Sequence, residues 1–282
     1  MLPCVVFLHG NTSSRLEALP FLRFLLPSNI CVFCFDFSGS GLSDGEYVSL
    51  GWWEKEDLKT VITFLRSTGR VGKIALIGRS MGAVTALMYA SEDPSISGIV
   101  VDSPFSNLAK LIKEIGSLLL PNMPSFMVSM LLWFIKKSVK NKANFNIDNL
   151  SPIDLIGKIK VPALFIVGNS DTLVQPIHGI TLYSLYTGKK SLLQIPGDHN
   201  SDRPIYVLSR IYNFVCGVLE VDKMLRYKVV LPDENKSEYV PFPQIVFPVT
   251  RVIKLKNIVN NDSKQIEGSI KSDSTSSSVE ED

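Results

Sequence analysis

The chain has 282 residues, 45% of them hydrophobic and 20% charged, and its 29 basic and 27 acidic residues leave a formal charge of +2. That near-balance gives no electrostatic footprint for nucleic acid. The length supports a large core without disulfides or metal, and it admits one or two domains. The charged fraction lies a little below the usual quarter, which points to extra buried or interfacial apolar surface.

From the start of the chain, Met1 to Gly10 lacks a basic region and a small-residue cleavage site, so no secretory signal is expected. Four cysteines (Cys4, Cys31, Cys34 and Cys216) are too few for a disulfide scaffold and fit a reduced, cytoplasmic chain. Cys31 and Cys34 form a C-x-x-C inside the apolar run Ile30–Phe37. Residues three apart on a strand face opposite ways, which argues against a shared zinc or redox site.

Strand-length apolar runs fall at Cys4–Leu8, Ile30–Phe37, Lys73–Ile77, Ile96–Asp102, Val161–Val167 and Ser191–Ile195. Helical patterns separate them. In Glu54–Arg66 the apolar Leu58, Val61, Ile62 and Leu65 share one helix face, and Met81–Ala90 and Pro204–Leu219 are similar. Alternation of this kind predicts an α/β fold, a mostly parallel sheet with helices on both faces. Two regions break the rhythm. Residues 105–160 form a long helical insertion, and the charge-free stretch Ile115 to Ile135 lies within it. Pro121 and Pro124 in that stretch argue against a membrane-spanning helix. After about Met224 the pattern dissolves, so residues 1–224 are assigned to one domain and 225–282 to a tail with a disordered, serine-rich and acidic end.

The sharpest motif is Gly78-Arg79-Ser80-Met81-Gly82, a G-x-S-x-G between a strand and a helix, where a nucleophile elbow exposes its serine. Serine needs a base. Of three histidines, His199 follows the last strand and is the candidate; His9 is expected to orient a loop, and His178 to face solvent. The third member is expected to be Asp171, with Asp102 as its rival, since chain order admits both. The oxyanion donors are expected to be the main-chain N–H groups of Met81 and Asn11. Gly39-Ser40-Gly41-Leu42-Ser43-Asp44-Gly45 lacks the spacing of a phosphate loop and reads as a tight turn. No cofactor is called for and no cluster has metal-ligand spacing.

His9-Gly10-Asn11, Asp36-Phe37-Ser38-Gly39-Ser40-Gly41-Leu42-Ser43, the serine motif, Asp171 and His199 together resemble the α/β-hydrolase superfamily over residues 4–220. They look closest to the branch holding monoacylglycerol lipases, prolyl-aminopeptidase-like peptidases and protein-depalmitoylating α/β-hydrolase-domain proteins. The resemblance implies a serine hydrolase with a helical lid at residues 105–160. It also implies two strands ahead of the one ending in His9-Gly10. Six strands are expected here, with Ile30–Phe37 at a sheet edge; a truncated start, pairing with another protein and pairing with the tail are the competing explanations. Tail segments Tyr227–Leu231 and Gln244–Leu255 are candidates to cover that edge.

In the lid, Phe126, Met127, Met130 and Trp133 are expected either to line a soft acyl pocket or to pack the lid onto the core. Residues 104–160 hold eight lysines against three acidic residues, which with the apolar run suggests peripheral membrane contact. The expected activity is hydrolysis of esters or thioesters of small or acylated substrates. An aminopeptidase-like enzyme, with Asp44 and Glu46 near the substrate amine, and a non-catalytic scaffold are the alternatives. No obligate protein partner is implied.

Overall fold

The computed structural model describes residues 1–226. The two tail segments proposed to cover the sheet edge, and the serine-rich end, lie outside them. The strands are β1 (Leu2–Leu8), β2 (Cys31–Cys34), β3 (Val71–Arg79), β4 (Gly98–Asp102), β5 (Ala163–Gly168) and β6 (Lys190–Ile195). They form a parallel sheet in the order β2-β1-β3-β4-β5-β6. The α-helices are α1 (Leu19–Leu25), α2 (Glu54–Ser67), α3 (Met81–Ala90), α4 (Leu108–Leu119), α5 (Ser125–Ala143), α6 (Pro152–Leu155), α7 (Pro176–Leu185) and α8 (Ile205–Val218), and four short 3-10 turns complete the described elements.

Alternating strand residues serve opposite faces. Val5, Phe7, Ala75, Ile77, Val100 and Ile166 pack with Phe24, Leu25, Val207, Ile211 and Val215, under α1 and α8. A buried hydrogen bond of 2.7 Å between the hydroxyls of Ser28 and Tyr212 ties the α1 end to α8. On α2 the buried residues include Leu58, Val61, Ile62 and Leu65, the face expected from their spacing. Every residue of α3 is buried, as a helix directly behind the central strands must be.

The edge strand is shorter than its apolar run. β2 pairs with β1 only from Cys31 to Cys34. It ends because the next polar groups are committed elsewhere. The Phe37 N–H donates to His9 Nε2 at 3.0 Å. Asp36 accepts from the N–H groups of Arg15 at 2.7 Å and Leu42 at 2.9 Å, and pairs with the Arg15 guanidinium. This is the tight turn expected in place of a phosphate loop. Gly41 sits at φ +54°, and a Cβ there would lie 2.3 Å from Asp36 Cγ, so the carboxylate occupies the space a side chain would need.

Between β4 and β5 the charge-free stretch breaks into α4 and α5 at Leu120–Pro124. Among the described residues no helix is long and apolar enough to cross a membrane. The inner side of the insertion joins Phe105, Leu108, Leu111, Phe145, Ile147 and Leu150 to Val84 and Met88 of α3.

Burial alone would raise the Asp36 carboxyl, but the two N–H donors and Arg15 hold it below its ordinary value. A group so depressed contributes stability above its unfolded pKa of about 3.9, and loses it as pH falls through the lower folded value. Asp36→Asn should therefore cost about 2 kcal/mol near neutral pH. Urea titrations should show that the gap between the two proteins closes below about pH 4.

Candidate active site

Ser80 stands between β3 and α3 at φ 50°, ψ −113°, in the left-handed half of the map that serine avoids. Its N–H donates to the Asp102 carbonyl at 2.8 Å, which pins the turn to the end of β4. The flanking glycines are demanded by contact. A Cβ at Gly78 would lie 2.3 Å from the Gly82 carbonyl oxygen, and one at Gly82 would lie 2.0 Å from that of Leu8. The turn thus brings the start of α3 against the end of β1.

His199, on the loop after β6, lies with Nε2 2.9 Å from Ser80 Oγ and Nδ1 2.6 Å from Asp171 Oδ2. Both Asp171 and His199 are buried. Asp171 follows β5, and its other oxygen accepts from the N–H groups of Leu173 at 3.0 Å and Val174 at 2.8 Å. Those two donors fix the plane of the carboxylate. Asp102, the rival, is occupied elsewhere: Arg203 Nε and Nη2 reach its two oxygens at 2.8 and 3.0 Å. Burial opposes the charge of Arg203, but Asp102 raises its pKa beyond the ordinary value.

The candidate oxyanion donors lie beside this series. Met81 opens α3, where its N–H has no helical carbonyl to serve. Asn11 follows Gly10, and a Cβ built on Gly10 would stand 3.8 Å from Ser80 Cβ. His9 is buried. Because Phe37 N–H donates to its Nε2, the proton sits on Nδ1, which donates to the Gly10 carbonyl at 2.7 Å. His9 therefore orients the loop, as its position suggested.

Two expectations need correction. His178 is not at the surface: it is fully buried at the start of α7. Its Nδ1 accepts from the Ser106 N–H at 3.2 Å and lies 2.7 Å from Ser106 Oγ, and its Nε2 lies 2.7 Å from Glu114 Oε2. The first turn of α7 presses on β5 and the start of the insertion, since a Cβ at Gly179 would meet Val167 at 2.6 Å. His178 thus bolts α7 to α4. Second, Phe126, Met130 and Trp133 face outward, and Met127 is half-buried. The inner face of α5 carries Val128, Ile135 and Val139 instead. A cavity of about 200 Å³ lies on that side, with Leu50, Ile112, Ile135, Val139, Phe145 and Ile147 among its walls.

Three residues of the site escaped the sequence reading. Glu17 accepts from the Gly10 N–H at 2.9 Å and pairs with Arg79 at 3.2 Å. Arg79 Nη2 in turn donates to the His199 carbonyl at 2.8 Å. Arg203 donates to the Ser201 carbonyl at 2.8 Å while holding Asp102. Two arginines therefore hold the main chain of the His199 loop, and both reach the Ser201 carbonyl. Arg79 lay inside the serine motif and was the one visible clue.

A strained serine turn after a central strand, with a carboxylate-bound histidine on the loop of the last strand, defines a hydrolase-type α/β architecture. The chain belongs to the α/β-hydrolase superfamily: residues 2–152 match the family described as "Serine aminopeptidase, S33". It is 31% identical over 195 residues to the uncharacterized protein YqkD of Bacillus subtilis, covering 67% of this chain and 61% of that one. It is 28% identical over 190 residues to the α/β hydrolase domain-containing protein WAV2 of Arabidopsis thaliana, covering 64% of this chain and 57% of WAV2. The esterase Pf2001 of Pyrococcus furiosus superposes with a TM-score of 0.60 at 28% identity, covering 77% of this chain and 82% of the esterase. The chain spans about three fifths of the length of the curated relatives it matches.

The two aspartates should separate cleanly on mutation. Asp171→Asn should lower kcat by about four orders of magnitude with little change in melting temperature, because it spoils the histidine tautomer. Asp102→Asn strands the buried Arg203 and should cost about 3 kcal/mol of stability while leaving far more activity. Thermal melts and initial rates on both proteins distinguish the cases.

Proposed function

We propose that this protein is a serine hydrolase that cleaves ester or thioester bonds of acylated or lipophilic substrates. The observation that carries the reading is the hydrogen-bonded series Ser80–His199–Asp171, at 2.9 and 2.6 Å. The Ser80 hydroxyl attacks the substrate carbonyl carbon as His199 Nε2 takes its proton. Asp171 holds the tautomer that leaves Nε2 free and stabilises the imidazolium. The negative oxygen of the tetrahedral intermediate is received by the N–H groups of Met81 and Asn11. His199 then protonates the leaving oxygen or sulfur, and the carbonyl re-forms as an ester on Ser80. Water, deprotonated by His199, attacks that acyl-enzyme and releases the acid. No step calls for a metal or cofactor.

The apolar cavity beneath α5 is suited to an acyl chain, since few polar groups compete for it. The peptidase alternative requires a carboxylate available to a substrate amine. Glu17 and Asp102, two acidic groups beside the series, are bound to Arg79 and Arg203; Asp198, next to His199, accepts from the N–H groups of Asn200 and Ser201; and Asp44 and Glu46 are exposed on their loop. This favours the ester reading.

Ser80→Ala should abolish labelling by a fluorophosphonate probe and hydrolysis of p-nitrophenyl esters. Wild-type protein should turn over esters of several chain lengths well above aminoacyl amides. Labelling that survives the substitution would place the nucleophile elsewhere, and preference for the amides would move the assignment to a peptidase.

A further inference from the structure

Helix α5 has two apolar faces. The inner one packs on the insertion's core through Val128, Ile135 and Val139. The outer one is a stripe at helical spacing, Phe126, Met130, Trp133 and Phe134, each more than half exposed, from 51% at Met130 to 69% at Phe126. Exposed Leu118 and Leu119 at the end of α4 add to the surface apolar side chains of the insertion. A helix that is apolar on both sides normally has a neighbour on both sides. A stripe of large side chains in water needs an occupant.

The charges indicate which one. The stripe continues at the same spacing into Lys137 and Lys140, with Lys137 Nζ 5.3 Å from the Trp133 ring centroid. Helix α5 contains no acidic residue. Glu114, the only carboxylate of α4, is turned to His178. Lys136 is matched by Asp148 at 2.5 Å and stands off the stripe. The surface is therefore an apolar wedge with an aromatic pair at its edge and, beyond it, lysines that no carboxylate among the described residues pairs. An amphipathic helix lying in the interface of an acidic bilayer has this composition. Tryptophan sits at headgroup depth, and lysines meet the lipid phosphates and carboxylates. A second copy of the chain would bring lysine rims of like charge toward each other.

We propose that the outer face of α5 docks this protein on anionic lipid surfaces. The interaction does not depend on the chemistry assigned to Ser80, and Ser80→Ala should bind as the wild type does. The test is co-sedimentation of the full chain with phosphatidylcholine vesicles, pure or containing about a third phosphatidylserine. Binding should require the anionic lipid and fall steeply with added salt. Lys137→Glu with Lys140→Glu should weaken it by about tenfold or more, and Met130→Ser with Trp133→Ser by a similar factor. A blue shift of tryptophan emission on adding vesicles should disappear in Trp133→Phe. Melting curves confirm that each variant is folded. Absence of wild-type binding, or equal binding by folded variants of either kind, overturns the proposal. So does a dimer in sedimentation velocity that Met130→Ser with Trp133→Ser dissolves while vesicle binding persists, since the face would then belong to a second copy.

Discussion

The close approach of the first turn of α3 to the end of β1 is the constraint on which the site depends. The Gly82 Cα stands so near the Leu8 carbonyl that a Cβ would lie 2.0 Å from it. Only there can Ser80 take its left-handed conformation and present Oγ above the sheet. The same approach brings Gly10 to the Ser80 side chain and sets two candidate donor loops side by side. Strain at Ser80 is offset by ordinary means: a hydrogen bond to Asp102, and a fully buried helix behind it.

Around this turn the polar groups form braces. Glu17 connects the loop after β1 to Arg79, and Arg79 connects to the main chain at His199. Arg203 links the end of β4 to the same loop. These are paired, largely buried charges, whose removal one at a time costs more than the pair contributes. Their effect is positional: the histidine loop, which has no secondary structure of its own, is held at its main-chain carbonyls by two arginines.

Much of this was legible in the residues. All six strands lie where the apolar runs were, because a parallel strand covered on both sides must be apolar at nearly every position. Ser80 was marked by a motif whose glycines have a steric cause, and His199 by its place after the last strand; chain order left Asp171 and Asp102 as rivals, and the 2.6 Å contact of His199 with Asp171 distinguishes them. What escaped depends on tertiary contact. His178 looked like a surface histidine because sequence does not reveal that α7 meets α4. Phe126, Met130 and Trp133 were expected to face a pocket or the core, but α5 is apolar on both sides, so nothing local said which face turns inward. The strand expected over Ile30–Phe37 stopped at Cys34 because His9 and Arg15, distant in sequence, claim the groups that follow.

The site draws on the ends of three strands, with Ser80 and His199 separated by 119 positions in the chain. During synthesis, a chain that has emerged only as far as the loop after β5 already contains the serine turn, β1 and Asp171. It lacks the base. The hydrogen-bonded series Ser80–His199–Asp171 is therefore completed only with the last strand and its loop. Completion of that series is then a marker of the closing step of folding, independent of any substrate.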